Sequence, residues 1–85
     1  MENSRTNKFD GLSYSEIKAI INEWVIGRNA ERDREILCLW LLDGLTYEEI
    51  ATRYMLAHPE SPISSDTVKR TIYKRKPQIF KHFPG

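Results

Sequence analysis

The chain has 85 residues, enough for one small domain and at the low end of what buries a stable core without disulfides or metals. Its 40% hydrophobic and 29% charged residues, with two Trp, four Tyr and three Phe, are the makings of a folded globule and exclude a disordered chain. The net charge of +1 conceals a division: residues 1–30, 31–60 and 61–85 carry 0, −4 and +5, so the basic charge gathers at the C-terminal end.

The lone Cys38 has no disulfide partner, and inside an apolar run it reads as a small buried hydrophobe in a reducing compartment. His58 and His82 are far apart and unaccompanied by other soft ligands, so neither a metal nor a cofactor is expected. There is no signal-peptide core and no apolar run of membrane-spanning length, which makes the cytoplasm the default location.

Residues 1–12 are polar and aperiodic and are expected to form a flexible N-terminal segment, with Phe9 the one side chain suited to packing. Residues 13–85 then form a single helical domain. Ser13 with Glu16 is a capping-box pattern, and Ile17, Ile20, Ile21, Trp24 and Val25 follow at helical spacing until Gly27, expected as a left-handed stop.

Asn29 is positioned to cap a second helix, with Glu31 and Asp33 facing the positive end of its macrodipole. Its run ILCLWLL, residues 36–42, is apolar nearly all round and marks the central helix, ended by Asp43 and Gly44. Trp40 in such a run is a core residue rather than a stacking platform, and the charged ERDRE stretch at 31–35 is expected to be a solvated helix start.

Thr46 with Glu49 repeats the capping box, and Tyr47, Ile50, Ala51 and Tyr54 recur at i, i+3, i+4 and i+7. The small Ala51 permits close approach of another helix. Pro59 and Pro62 forbid continuation, leaving residues 58–63 as a loop.

Ser64 caps a fourth helix with Asp66 in its first turn and Val68 and Ile72 pointing inward. Around that stripe stand Lys69, Arg70, Tyr73, Lys74, Arg75 and Lys76, which cannot all be core. Pro77 is expected to break or kink the helix, leaving one more turn to lay Ile79, Phe80 and Phe83 on the bundle. No repeat, low-complexity tract, phosphate-binding glycine loop or strand pattern is present. The fold expected is all-α, a compact bundle of four main helices.

Residues 46–76 fit a C-terminal helix-turn-helix with a lengthened turn, since twelve positions lead from Ala51 to Ile63 where the usual turn is about 3–4 residues. Such a pair sets its second helix, here 65–76, into the major groove of double-stranded DNA. Lys69 and Arg70 in its second turn reach guanine edges or phosphates, whereas Ser65, Asp66 and Thr67 at the leading end touch bases only on close approach. Tyr73, Lys74 and Lys76 lie further back and suit phosphates. Asp66 is more naturally a dipole partner than a contact to cytosine.

The stretch DREILCLWLLDGLTYEEIA and the later ISSDTVKRTIYK together resemble the fourth conserved region of bacterial RNA polymerase sigma factors and the related response-regulator output domains. Gly44, Thr46, Glu49, Ile50, Ala51, Ile63, Ser64, Thr67, Val68, Lys69 and Arg70 carry the likeness, which covers residues 31–76. The earlier IINEWVIGRNAERDREIL is similar to small sigma-like proteins of Gram-positive prophages.

This resemblance implies sequence-specific DNA binding in transcription regulation or initiation, with RNA polymerase as a further partner. Separately, one small module binds DNA weakly, which makes a homodimer or a larger complex an expected assembly. No nucleophile has a partnered base, so no enzyme is expected. Two alternatives stand beside it. One is a protein-interaction module docking on polymerase or an antagonist through Glu31, Asp33, Glu35, Glu48 and Glu49; the other is a phage DNA-packaging or recombination accessory.

Overall fold

A computed structural model describes residues 13–82, in which four helices follow one another with no strand among the described residues. They are α1 (Tyr14–Trp24), α2 (Ala30–Leu41), α3 (Tyr47–Ala57) and α4 (Ser65–Phe80). The expectations placed on residues 1–12, including Phe9, and on Phe83 lie outside the described residues. The Cα radius of gyration is 12.7 Å, close to the value of about 12 Å for a compact chain of this length.

Helices α2 and α4 each pack against the other three, whereas α1 and α3 make no close approach to one another. The core between them is aliphatic: Ile17, Ile21 and Val25 meet Ile36, Leu37, Leu41 and Leu42, and Ile50, Val68, Ile72 and Ile79 complete it. Each such side chain removed from water contributes about 1.5–3 kcal/mol. Ala51 is buried in this cluster, as its small size on the apolar face of α3 suggested. Trp40 and Cys38 are half-buried against the same core.

The three hydroxyl caps form as expected. Ser13 Oγ accepts from the Glu16 amide at 3.1 Å while Glu16 Oε1 accepts from the Ser13 amide at 2.9 Å. Thr46 and Glu49 make the same reciprocal pair at 3.2 and 2.9 Å, and Ser64 Oγ accepts from the Thr67 amide at 3.2 Å.

Four local expectations are corrected. Helix α1 ends at Trp24, before Gly27, because Val25 turns into an extended conformation with its side chain fully buried and its carbonyl accepting from Arg34 Nε at 2.8 Å. Gly27, at φ 112°, belongs to the turn that follows. Asn29 does stand at the head of α2, but its φ and ψ of −108° and 33° are not those of a side-chain cap, and its side chain makes no capping bond.

Pro77 does not break α4, which runs through it to Phe80. The proline lies on the exposed side, while Ile79 beyond it is fully buried and holds the last turn on the core. The fourth correction concerns the ERDRE stretch. Asp33 is fully buried, not solvated, and receives Arg75 Nε at 2.8 Å across the α2–α4 contact. No helix among the described residues is long and apolar enough to cross a membrane.

Candidate nucleic-acid interface

Helix α4 divides along its length into two faces. At about 100° per residue, Val68, Thr71, Ile72, Arg75 and Ile79 fall on one side, and all five are buried. Opposite them, Asp66, Lys69, Arg70, Tyr73 and Lys74 are exposed, with Tyr73 showing 56% of its surface. Ser65, Thr67 and Lys76 border this face and are half-buried. The eight candidate residues therefore share one helix, and none is enclosed in the core.

Arg75 leaves the basic cluster. Its side chain is 7% exposed and bonded to Asp33, and its Nη1 donates to Gln78 Oε1 at 2.8 Å. Asp33 Oδ1 in turn receives Arg32 Nε at 3.2 Å. A guanidinium so enclosed fixes α4 to α2 and presents nothing to a ligand. The register carried this signal, because Arg75 stands three residues after Ile72 and four before Ile79, in line with the buried stripe.

The remaining cations differ in how they are partnered. Arg70 Nη2 reaches Asp66 Oδ2 at 2.9 Å, one turn back, with the two side chains 80% and 64% exposed. A pair so open to water contributes about 0.3–0.5 kcal/mol, so Arg70 is easily released to another anion. Asp66 thus acts on Arg70 as well as on the helix dipole. Lys69, Lys74 and Lys76 make no ion pair among the described residues.

Two of those lysines lie over aromatic rings. Lys69 Nζ is 5.8 Å from the centroid of the Tyr73 ring, and Lys76 Nζ is 5.2 Å from the same centroid. Lys76 also lies 5.7 Å from the Trp40 ring and 5.8 Å from that of Phe80. Burial pushes the phenol of Tyr47, in the first turn of α3, up from its ordinary value of 10.0, and the neighbouring Tyr73 phenol adds to the rise. Tyr47 belongs to the helical repeat of α3 in the sequence, where nothing linked it to α4. Thr67 is held by the cap, its hydroxyl bonding that of Ser64 at 3.2 Å.

Both histidines have structural employment. His58 Nε2 bonds Glu35 Oε1 at 2.9 Å and its ring leans on Tyr54, tying the start of the 58–64 connection to α2. His82 stacks on Trp24 with centroids 3.7 Å apart and planes 6° from parallel. No group of three or more His, Cys, Asp or Glu among the described residues is arranged to hold a metal. Comparison with known proteins gave no matching family model, curated relative or solved structure.

Proposed function

We propose that the chain binds double-stranded DNA sequence-specifically and acts in transcription regulation or initiation as a sigma region-four-like module, without catalysis. In this reading α3 and α4 are the helix-turn-helix, and α4 enters the major groove with Ser65, Asp66, Thr67, Lys69 and Arg70 leading and Tyr73, Lys74 and Lys76 behind. The observation that carries it is the segregation of charge on α4. One cation, Arg75, is neutralised inside, while Lys69, Arg70 and Lys74 stand exposed opposite the buried stripe. Long cationic donors along one open helix face suit phosphates and guanine edges. RNA polymerase is a natural second partner for such a module, and pairing of two copies would strengthen the weak grip of a single one.

Docking of a protein on the acidic residues is less well supported. Asp33 is enclosed, Glu35 is paired with His58, and Glu49 closes the α3 capping box, which leaves Glu31 and Glu48 of the five. A phage DNA-packaging or recombination accessory would use the same α4 face and differs only in its biological setting.

Lys69→Ala combined with Arg70→Ala tests the proposal. Affinity for a duplex selected from a random pool is expected to fall about 100-fold, and the slope of log affinity against log salt to become shallower by about 1–2, close to one for each phosphate that is no longer neutralised. Unchanged duplex affinity in this double variant would remove α4 from the interface. Binding of polymerase with no duplex binding at low salt would favour the docking reading instead.

A further inference from the structure

Lys76 stands apart from the other cations near it on α4. It follows Lys74 by two residues and so lies about 160° away around the helix, on the border of the buried stripe between Ile72 and Ile79. It is half-buried, whereas Lys69, Arg70 and Lys74 are exposed. Its Nζ stands over three rings, 5.2 Å from the centroid of Tyr73, 5.7 Å from that of Trp40 and 5.8 Å from that of Phe80. An ammonium is attracted to the face of each ring, and more strongly where water is partly excluded. Lys69, two turns earlier on the same side, has only the Tyr73 ring within that reach among the described residues.

Tyr73 and Phe80 belong to α4 itself, but Trp40 belongs to α2, so the Lys76 contact ties the two helices together. A second tie is adjacent to it, where Arg75 Nε donates to Asp33 Oδ2 at 2.8 Å. Arg75 and Lys76 leave α4 in directions about 100° apart. Their partners Asp33 and Trp40 are seven residues apart on α2, about 10 Å along its axis. One point of attachment lets a packed helix roll or tilt about it; two points separated in both directions do not.

We propose that Lys76 is a positioning residue and not a phosphate ligand: with the Asp33–Arg75 pair it fixes the roll of α4 on α2 and so sets the direction in which Arg70 and Lys74 face. The inference rests on the DNA-binding reading and narrows it, leaving Lys69, Arg70 and Lys74 as the cations that meet the duplex. Roll matters there because a guanidinium reads a base edge only when the plane and direction of its donors match.

The test uses the full chain, one duplex selected from a random pool and one random-sequence duplex, each titrated across a range of salt concentrations. Lys76→Met keeps the aliphatic stem and removes the charge. It is expected to melt about 4–8 °C below the parent, the shift for loss of one partly shielded contact between an ammonium and rings. The ratio of selected to random affinity falls about 5- to 10-fold, as when one base contact is weakened, while the salt slope stays within about 0.5 of the parent's. Lys74→Met, by contrast, makes the slope shallower by about 1 and keeps the ratio. Lys76→Arg restores both ratio and melting, since a guanidinium occupies the same place over the rings. In a Trp24→Phe background Trp40 is the one remaining tryptophan, and its emission shifts on Lys76→Met but not on Lys74→Met.

Three results overturn the positioning role while the DNA reading stands. A Lys76→Met variant whose slope becomes shallower by about 1 with its ratio intact makes Lys76 a phosphate ligand. One that melts lower but keeps both slope and ratio makes it a stabilising contact alone. One with the parent's melting and Trp40 emission shows that the ammonium does not stand over Trp40. A parent chain that binds neither duplex at about 50 mM salt, where phosphate contacts are strong, overturns the DNA reading and the positioning role with it, and the melting and emission readings then still show whether Lys76 ties α4 to α2.

Discussion

An Arg75→Met substitution keeps much of the side chain's length inside the bundle and deletes the guanidinium that faces Asp33. The carboxylate it abandons is fully buried, and breaking a buried pair from one side costs about 3–5 kcal/mol. Arg32 Nε remains at 3.2 Å from the other carboxylate oxygen, which places the loss near the lower figure. For a domain of this size each kcal/mol moves the melting midpoint by about 4–8 °C, so the variant is expected to melt about 12–24 °C below the parent by far-ultraviolet circular dichroism. Adding Asp33→Leu removes the stranded charge, and the double variant should recover most of the deficit. Lys74→Met, one residue earlier and exposed, should stay within about 0.5 kcal/mol of the parent. A melting shift of less than about 4 °C in Arg75→Met would falsify the enclosed pair and return Arg75 to the basic surface.

Two further expectations concern local features. Thr46→Ala removes the hydroxyl that accepts the Glu49 amide at the head of α3; a loss of about 1 kcal/mol in urea unfolding is expected, and an unchanged midpoint would show that the cap carries no stability. Burial pushes the Cys38 thiol above its ordinary value of 9.0, with Asp43 and Glu35 adding to the rise and Lys18 opposing it. The folded chain then holds the thiol proton more tightly than the unfolded one. This contribution to stability is complete below 9.0 and is lost as pH rises through the folded value. Alkylation of the native chain should reach its half-maximal rate at higher pH than alkylation in urea, and coincident profiles would refute the burial argument.

The elements with local causes were legible in the sequence. Ser13 with Glu16 and Thr46 with Glu49 mark helix starts because a hydroxyl and a carboxylate three residues apart satisfy each other's backbone amides without help from the rest of the chain. The aliphatic positions of α1, α3 and α4 were equally plain from their spacing. What escaped was set by partners distant in sequence. Asp33 resembles any acidic residue in a first helical turn until α4 brings Arg75 to it from 42 residues away. Arg34 reads as a solvated cation until the Val25 carbonyl, freed where α1 ends, comes within its reach. Pro77 looks like a stop, yet burial of Ile79 keeps α4 in place beyond it. On the candidate interface the sequence separated the lysines from the apolar stripe, but the nearness of Tyr47 to Tyr73 depends on how α3 and α4 are set against each other.

The division of α4 into two registers makes it a replaceable cassette. Val68, Thr71, Ile72, Arg75 and Ile79 are the positions by which the bundle holds the helix, and they can be kept as a constant frame. Asp66, Lys69, Arg70 and Lys74 are exposed and stand apart from the aliphatic core, so they can be randomised as a library with little risk to folding. Variation at those four sites changes the charge and shape of the outer surface while the Asp33–Arg75 clasp underneath keeps every member of the library in the same orientation.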